Sequence, residues 1–262
     1  MEQRQVSLVD ALRSAVGWFL IAWVTLLLFP PTALAAFTVF LFDRDRKQIH
    51  PFISLWAKSA IFVYPLMSVT LKGAHHLRPG KTYVLVANHQ SVSDILVVLH
   101  LQHPFKFIAK KELFWIPFFG WALWLAGYIP LIRGDHNSRR ETIERAKGYL
   151  QRGASVLFFP EGTRSPNGEI QPFKIGAFKI AAELGIPVVP VVINGTRELV
   201  PKGNWMMGGE VHVTVQVGIP REPFGETGSD IAALVASVRE EMVTQLHKLR
   251  DGKFVTAQSI PD

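Results

Sequence analysis

Asn88-His89-Gln90-Ser91-Val92-Ser93-Asp94 sets a histidine and an aspartate five residues apart, directly after the short apolar run 82–87. Such a run reads as a buried strand, and the polar stretch after it as the start of a helix. Open α/β sheets place ligands at the carboxyl ends of their strands. An aspartate in the first helical turn can bend back to the imidazole, fix its tautomer and stabilise the imidazolium. His89 then has the makings of a general base, worth roughly 10²–10⁴ in rate when positioned. Ser91 and Asp94 also match a capping box, which accounts for the same spacing without any chemistry.

A second segment, Phe158-Phe159-Pro160-Glu161-Gly162-Thr163-Arg164-Ser165, follows another buried-strand run at 155–159. Glycine admits close approach of a ligand to the backbone. Arginine offers a planar fork matched to phosphate oxygens. A turn with a surface ion pair is the plainer reading. Gly127-Tyr128-Ile129-Pro130-Leu131-Ile132-Arg133-Gly134-Asp135 sets charges directly after an apolar strand, and Lys110-Lys111-Glu112 follows the strand expected at 105–109. Both add positive charge at the same sheet edge. Residues 187–193 form a further core strand, ending in Asn194-Gly195-Thr196.

The elements that position these segments alternate. Strands at 105–109 and Val211–Val217 have the pattern of positions nearer an edge, while the other runs read as central. A helix is expected after the Ser138/Glu141 capping box, with Ile143, Ala146, Tyr149 and Leu150 inward and Gly153 as its stop. Another covers 173–184. A C-terminal helix capped by Ser229 or Asp230 carries Ile231, Leu234, Val235, Val238, Met242, Leu246 and Leu249 on one face, with a loose tail from Gly252. The expected fold is α/β, a largely parallel sheet flanked by helices.

Residues 14–42 are 29 consecutive uncharged residues, split by Pro30-Pro31. The two pieces, roughly 24 and 17 Å long as helices, each fall short of a ~30 Å hydrocarbon core. They predict a kinked span or a hairpin sunk into one leaflet; a signal peptide is disfavoured by the length of the run. Arg44, Arg46 and Lys47 favour a cytoplasmic flank. Residues 51–70 form a second apolar stretch, expected as a helix against membrane or core. Residues 113–132 are a third uncharged run, fragmented by Pro117, Gly120, Gly127 and Pro130, and expected inside the α/β domain. Six of the seven tryptophans lie in these stretches, suggesting a lipid–water interface, although Trp115, Trp121 and Trp124 also suit a core. The domain reading is a hydrophobic helical segment at 1–50 and an α/β domain at 51–262.

The chain has 262 residues, and 28 Lys+Arg against 21 Asp+Glu give +7. That excess suits anionic partners: lipid surfaces, phosphorylated substrates or nucleic acid. Nucleic acid is excluded as a partner because the aromatics sit in apolar runs rather than among basic residues. With no cysteine there are no disulfides, thiolate metal sites or cysteine nucleophile, and the nine histidines lack metal-ligand spacing, so no metal is expected.

In this order the four segments resemble the glycerolipid acyltransferase family. Its NHx4D motif is matched by Asn88, His89 and Asp94. Its arginine after a Gly-x-Ile/Pro stretch is matched by Gly127 through Arg133, its FPEGTRS motif is complete from Phe159 to Ser165, and its proline-containing strand is matched around Pro190. The Lys110-Lys111-Glu112-Leu113 and Phe173-Lys174-x-Gly176-Ala177 elements are similar too. The likeness covers about residues 72–218. It implies transfer of a fatty acyl group from acyl-CoA or acyl-carrier protein to the free hydroxyl of a lysophospholipid, 1-acylglycerol-3-phosphate first, with lyso-ornithine lipid or lysophosphatidylglycerol as alternatives. His89 is the implied base and Asp94 its orienter. Glu161, Gly162, Thr163 and Arg164 would bind the acceptor, with Arg133, Lys110 and Lys111 as phosphate helpers, and no cofactor beyond the cosubstrate. A non-catalytic adaptor would have no need of His89 and Asp94. The implied setting is a bilayer, a bacterial inner membrane with the site on its cytoplasmic face. An acyl tunnel lined by part of 113–132 is expected, narrowed by enlarging Gly120 or Ala122.

Overall fold

The structure is a computed structural model that describes residues 7–200, 205–223, 225 and 227–257, with side chains through residue 252. In chain order the elements are α1 (Leu8–Val39), α2 (His50–Phe62), β1 (Met67–Lys72), β2 (Val84–Ala87), α3 (Asp94–Val98), β3 (Phe105–Lys110), α4 (Phe119–Leu125), β4 (Ile129–Leu131), α5 (His136–Gln151), β5 (Ser155–Phe158), α6 (Gly176–Leu184), β6 (Val188–Asn194), α7 (Thr196–Leu199), β7 (Val211–Val217) and α8 (Gly228–Ala257). Short 3-10 turns cover Lys47–Ile49, Ala74–His76 and Lys111–Trp115.

The seven strands form one sheet in the order β1-β7-β6-β2-β5-β3-β4, with every pairing parallel except β6–β7. β3 and β7 each stand one place in from an edge, as their alternation predicts. The central strands are buried on both faces, which is why they read as unbroken apolar runs. Successive residues point to opposite faces, so Leu85, Leu157, Val189 and Val191 meet α1–α4, while Val84, Val86, Val156 and Val192 meet α5, α6 and α8.

Several boundaries differ from expectation. α1 continues through Pro30 and Pro31 instead of breaking. Both prolines lie on its exposed side, while Ser14, Gly17, Val24, Thr32 and Ala36 form one buried stripe toward the domain. Packing along that stripe, and against α2 and α4, holds the helix where local propensity would end it. A hairpin within 14–42 is therefore not formed. The stretch 51–70 is not one helix: α2 ends at Phe62 and β1 begins at Met67. α5 is capped by Asp135, whose carboxylate accepts from the amides of Asn137 (2.8 Å) and Ser138 (3.1 Å), not by Ser138. Ser138 instead accepts from the Ile132 amide at 2.9 Å, holding the backbone beside Arg133. α6 starts at Gly176, and α8 at Gly228 after a reciprocal Thr227/Asp230 cap. The backbone of α8 runs on past Gly252 to Ala257, and the rest of the expected tail lies outside the described residues.

Candidate active site

Four strands, β2, β5, β3 and β4, deliver their carboxyl ends to one edge. At the end of β2, Asn88 takes the place of a ladder rung: its side chain donates to the Ile193 carbonyl (2.9 Å) and accepts the Ile193 amide (2.7 Å). That cross-link fixes the ends of β2 and β6 where the chain turns out of the sheet.

His89 follows, held on every side. Its amide donates to Glu161 Oε1 at 2.8 Å, its carbonyl accepts from the Ser165 amide at 2.8 Å, and its ring stacks on Phe159 at 4.3 Å between centroids. Its Nδ1 lies 2.7 Å from Asp94 Oδ2. That oxygen also accepts from the amides of Gln90 (2.7 Å) and Ser91 (2.9 Å), while Oδ1 accepts from the Thr196 hydroxyl. An acceptor surrounded by donors assigns the imidazole proton to Nδ1 and leaves the Nε2 lone pair open. The expected Ser91–Asp94 capping box is not formed: α3 begins at Asp94 after Ser93 with no side-chain cap, and of the box only the bond from the Ser91 amide to the carboxylate is present. Asp94 is wholly enclosed, whereas the His89 side chain keeps 12% of its surface open.

Glu161 is buried and bridges two loops, its second oxygen accepting the Gln171 amide at 3.1 Å. Burial pushes its carboxyl above the usual range, against the two amides that favour the ionised form. Its contacts are to backbone, so it shapes the loop under His89. Gly162 has φ +74, and a side chain there would run into the Lys174 ammonium. Thr163 is exposed, and its hydroxyl lies 3.4 Å from the Arg164 carbonyl. Arg164 has no hydrogen-bond or ion-pair partner among the described residues, which leaves its fork available.

The remaining expected cations stand farther along. Lys110 pairs with Glu112 at 3.1 Å; a bond from the Glu112 backbone amide, then Lys110, and least of all Arg133 hold that carboxyl below its usual range. Lys111 and Arg133 are exposed. With β5 and β3 intervening, β4 stands about 14 Å from β2 at ordinary strand spacing. The structure therefore brings His89, Asp94 and Glu161 into one bonded unit and leaves Lys110, Lys111 and Arg133 as a second cluster on the same edge.

An apolar cavity of about 460 Å³ lies between the helices on the α1–α4 face. Its walls include Ile21, Trp56, Ala60, Leu96 and Phe119, and also Val92 and Ser93 from the loop between His89 and Asp94. The expected wall residues Gly120 and Ala122 do not line it. A Cβ on Gly120 would strike the Phe114 carbonyl, so enlarging that residue would disturb the fold before it narrowed any tunnel. Trp115, Trp121 and Trp124 are not core residues: they are exposed, in the same region as the open face of α1.

The Acyltransferase family model matches residues 68–194, from β1 through β6. The mouse 1-acyl-sn-glycerol-3-phosphate acyltransferase alpha is 34% identical over 232 residues, covering 87% of this chain and 77% of that one. The chain belongs to the acyltransferase family. The chloroplastic 1-acyl-sn-glycerol-3-phosphate acyltransferase of Brassica napus is 45% identical over 168 residues, covering 63% of this chain; the aligned part spans 48% of that protein, about half its length. The crystal structure of the 1-acyl-sn-glycerophosphate acyltransferase of Thermotoga maritima superposes with a TM-score of 0.77 at 28% identity, covering 92% of this chain and 96% of that one.

Within this acyltransferase fold, sequence reasoning passed over three residues. Thr196 supplies the donor to Asp94 from a point 102 residues away, and no local pattern marks that contact. Phe159 lies inside the third motif but reads there only as strand. Lys174 lies in an element that resembles the family's but carries no site role by sequence; its amide donates to the Pro160 carbonyl at 2.9 Å, folding it over Gly162. Among the described residues, no group of three or more His, Cys, Asp or Glu is gathered to hold a metal ion.

Proposed function

We propose that this protein acylates 1-acylglycerol-3-phosphate to phosphatidate at a membrane surface. The observation that carries the reading is the His89 Nδ1–Asp94 Oδ2 contact at 2.7 Å beside an apolar cavity of about 460 Å³. His89 Nε2 accepts the proton of the acceptor hydroxyl as the alkoxide attacks the thioester carbonyl. Asp94 stabilises the imidazolium. Collapse of the tetrahedral intermediate expels the thiolate, which takes the proton back, so no acyl-enzyme forms. Arg164 anchors the acceptor phosphate, with Glu161, Gly162 and Thr163 shaping its loop. Lys110, Lys111 and Arg133 extend the positive edge for further phosphate oxygens. The relatives' names support the acceptor, and Arg164, without a partner among the described residues, favours a phosphate over a phosphate-free headgroup such as that of lyso-ornithine lipid.

The cavity holds the acyl chain of the donor, acyl-CoA or acyl-carrier protein. Each methylene kept from water is worth about 0.8 kcal/mol. Attachment is through α1, which is long and apolar enough to cross a membrane, with only 17% of its most apolar window buried. The cations after it support a site on the cytoplasmic side of a bacterial inner membrane. The division into a membrane segment at 1–50 and a catalytic domain at 51–262 belongs to the same proposal.

The test is turnover of labelled oleoyl-CoA by the detergent-solubilised protein. Lysophosphatidate, lysophosphatidylglycerol and lyso-ornithine lipid are offered together. Rapid conversion of lysophosphatidate alone is expected. Acylation of another lysolipid in its place overturns the acceptor while leaving the dyad. Failure with every acceptor, repeated with an acyl-carrier-protein donor, overturns the catalytic reading in favour of an adaptor.

A further inference from the structure

Asp94 Oδ2 already serves three donors: the imidazole of His89 and the amides of Gln90 and Ser91. Oδ1 lies in the same fully enclosed position, and the Thr196 hydroxyl is its donor. We infer that Thr196 is a positioning residue for the reaction: by donating to Oδ1 it fixes the rotation of the Asp94 carboxylate and so aims Oδ2 at His89. This rests on the reading of His89 and Asp94 as base and orienter.

The fold is built to bring this hydroxyl to the carboxylate. β6 ends at Asn194, and Gly195 then takes φ +103, a conformation that side chains rarely adopt. A Cβ there would also run into the His212 carbonyl. That turn places Thr196, itself wholly buried, at the first position of α7. The Asn88–Ile193 pair locks β2 to β6 just upstream, so the two chain segments that carry Asp94 and Thr196 leave the sheet at a fixed separation. Downstream, the Ser91 hydroxyl donates to the Val200 carbonyl at 2.9 Å, tying the other end of α7 to the loop that precedes Asp94. Fastened at both ends, α7 leaves the threonine little freedom to turn away.

Without that donor, a buried carboxylate oxygen has no partner, a state that proteins avoid. The group answers by rotating about χ2 toward another donor, which draws Oδ2 away from Nδ1, or by taking up a proton. Either change weakens the support of the imidazolium and slows proton transfer. Neither change touches the acceptor's phosphate contacts.

Two substitutions separate the hydroxyl from the shape. Thr196→Val keeps the volume and loses the donor, whereas Thr196→Ser keeps the donor and loses a methyl group. Turnover of lysophosphatidate by the full-length protein should fall about tenfold to a hundredfold in kcat for Thr196→Val, less than the roughly 10²–10⁴ that a positioned base contributes as a whole. KM for lysophosphatidate should be unchanged, and Thr196→Ser should recover most of the wild-type rate. Wild-type kcat in Thr196→Val, or a valine variant more active than the serine one, overturns the inference, the latter because packing would then be what matters. A thermal melt of each variant shows whether it is folded, and a loss that tracks melting rather than the hydroxyl also counts against it. His89→Ala is the control for the underlying reading. If it retains activity, the dyad reading has failed; if it is inactive while Thr196→Val is unimpaired, only the role of Thr196 has failed.

Discussion

The carboxyl edge around His89 and the apolar face around α1 are organised by different forces. Around His89 the buried carboxylates and Asn88 are fully bonded, while Arg164 is left open among the described residues. Asp94 receives four donors, Glu161 two backbone amides, and Asn88 closes both halves of a rung. Directional bonds of this kind specify geometry to fractions of an ångström. On the α1 face the contacts are aliphatic and aromatic, and they leave a cavity of about 460 Å³. Such a surface accepts a flexible chain because it asks for volume instead of direction. On the proposed reading, one region sets where a bond is made, and the other how much hydrocarbon is accommodated.

The sharpest break of that contrast is at His89. His89→Ala and Asp94→Asn should each lower kcat by about 10²–10⁴ in steady-state assays, with chain-length preference unchanged. A loss in either variant that depends on the length of the donor chain would mean that the two regions are not separable.

Next is the cavity. Ala60→Leu fills part of it and should move the preferred donor toward shorter chains, while Leu96→Ala should move it toward longer ones. Excluding one methylene changes the preference by roughly fourfold, the equivalent of about 0.8 kcal/mol. Competition between labelled acyl-CoA species of graded length measures this, and identical profiles in both variants would empty the cavity of its assigned role.

Removing Glu161 probes the edge as a structure. Glu161→Gln replaces one acceptor with a donor facing a backbone amide, and should cost about 1–3 kcal/mol in chemical denaturation. An unchanged denaturation midpoint would show the loop under His89 to be held by other contacts.

The smallest effect tests the far side of β3. Lys106 is buried, and its ammonium donates to the carbonyls of Arg46 (3.1 Å) and Ala126 (2.5 Å). Burial pushes its pKa down to about 7, with Asp43 and Asp45 opposing. An unfolded lysine titrates near ~10.4, so the unfolded chain binds more protons between the two values. Stability should then rise with pH from about 7 toward 10. Lys106→Met should flatten that rise, as read from denaturation curves at pH 7 and 9; parallel slopes would place the pH dependence elsewhere.

The same contrast explains what the sequence made legible. Bonded constellations made by neighbours in the chain appear as motifs: His89 with Asp94, and Phe159 through Ser165, are read directly. The strands at the core are equally plain because burial on both faces demands unbroken apolar runs. Thr196 was invisible in its role because its partner is distant in sequence. The apolar stretches misled in a consistent way. Pro30-Pro31 promised a break that packing of Val24, Thr32 and Ala36 overrides, and 51–70 hid a strand behind helical composition. Apolar surface carries no directional signature, so the same residues serve helix, strand or lipid contact until the tertiary neighbours are known.

The paired prolines carry one more consequence. Pro30 and Pro31 have no amide hydrogens, so the carbonyls of Leu26 and Leu27 lack their usual donors four residues on. Leu26 and Leu27 face outward near the middle of a 32-residue helix. Standing upright in a bilayer, α1 would carry two bare carbonyls to the depth where solvating them is most costly. Lying along the headgroup boundary, it offers the same two oxygens to water and keeps its leucines and tryptophans in contact with acyl chains. On the proposed attachment to a bilayer, the dipeptide that fails to break the helix favours a flat orientation, which would hold the proposed reaction edge level with the lipid surface.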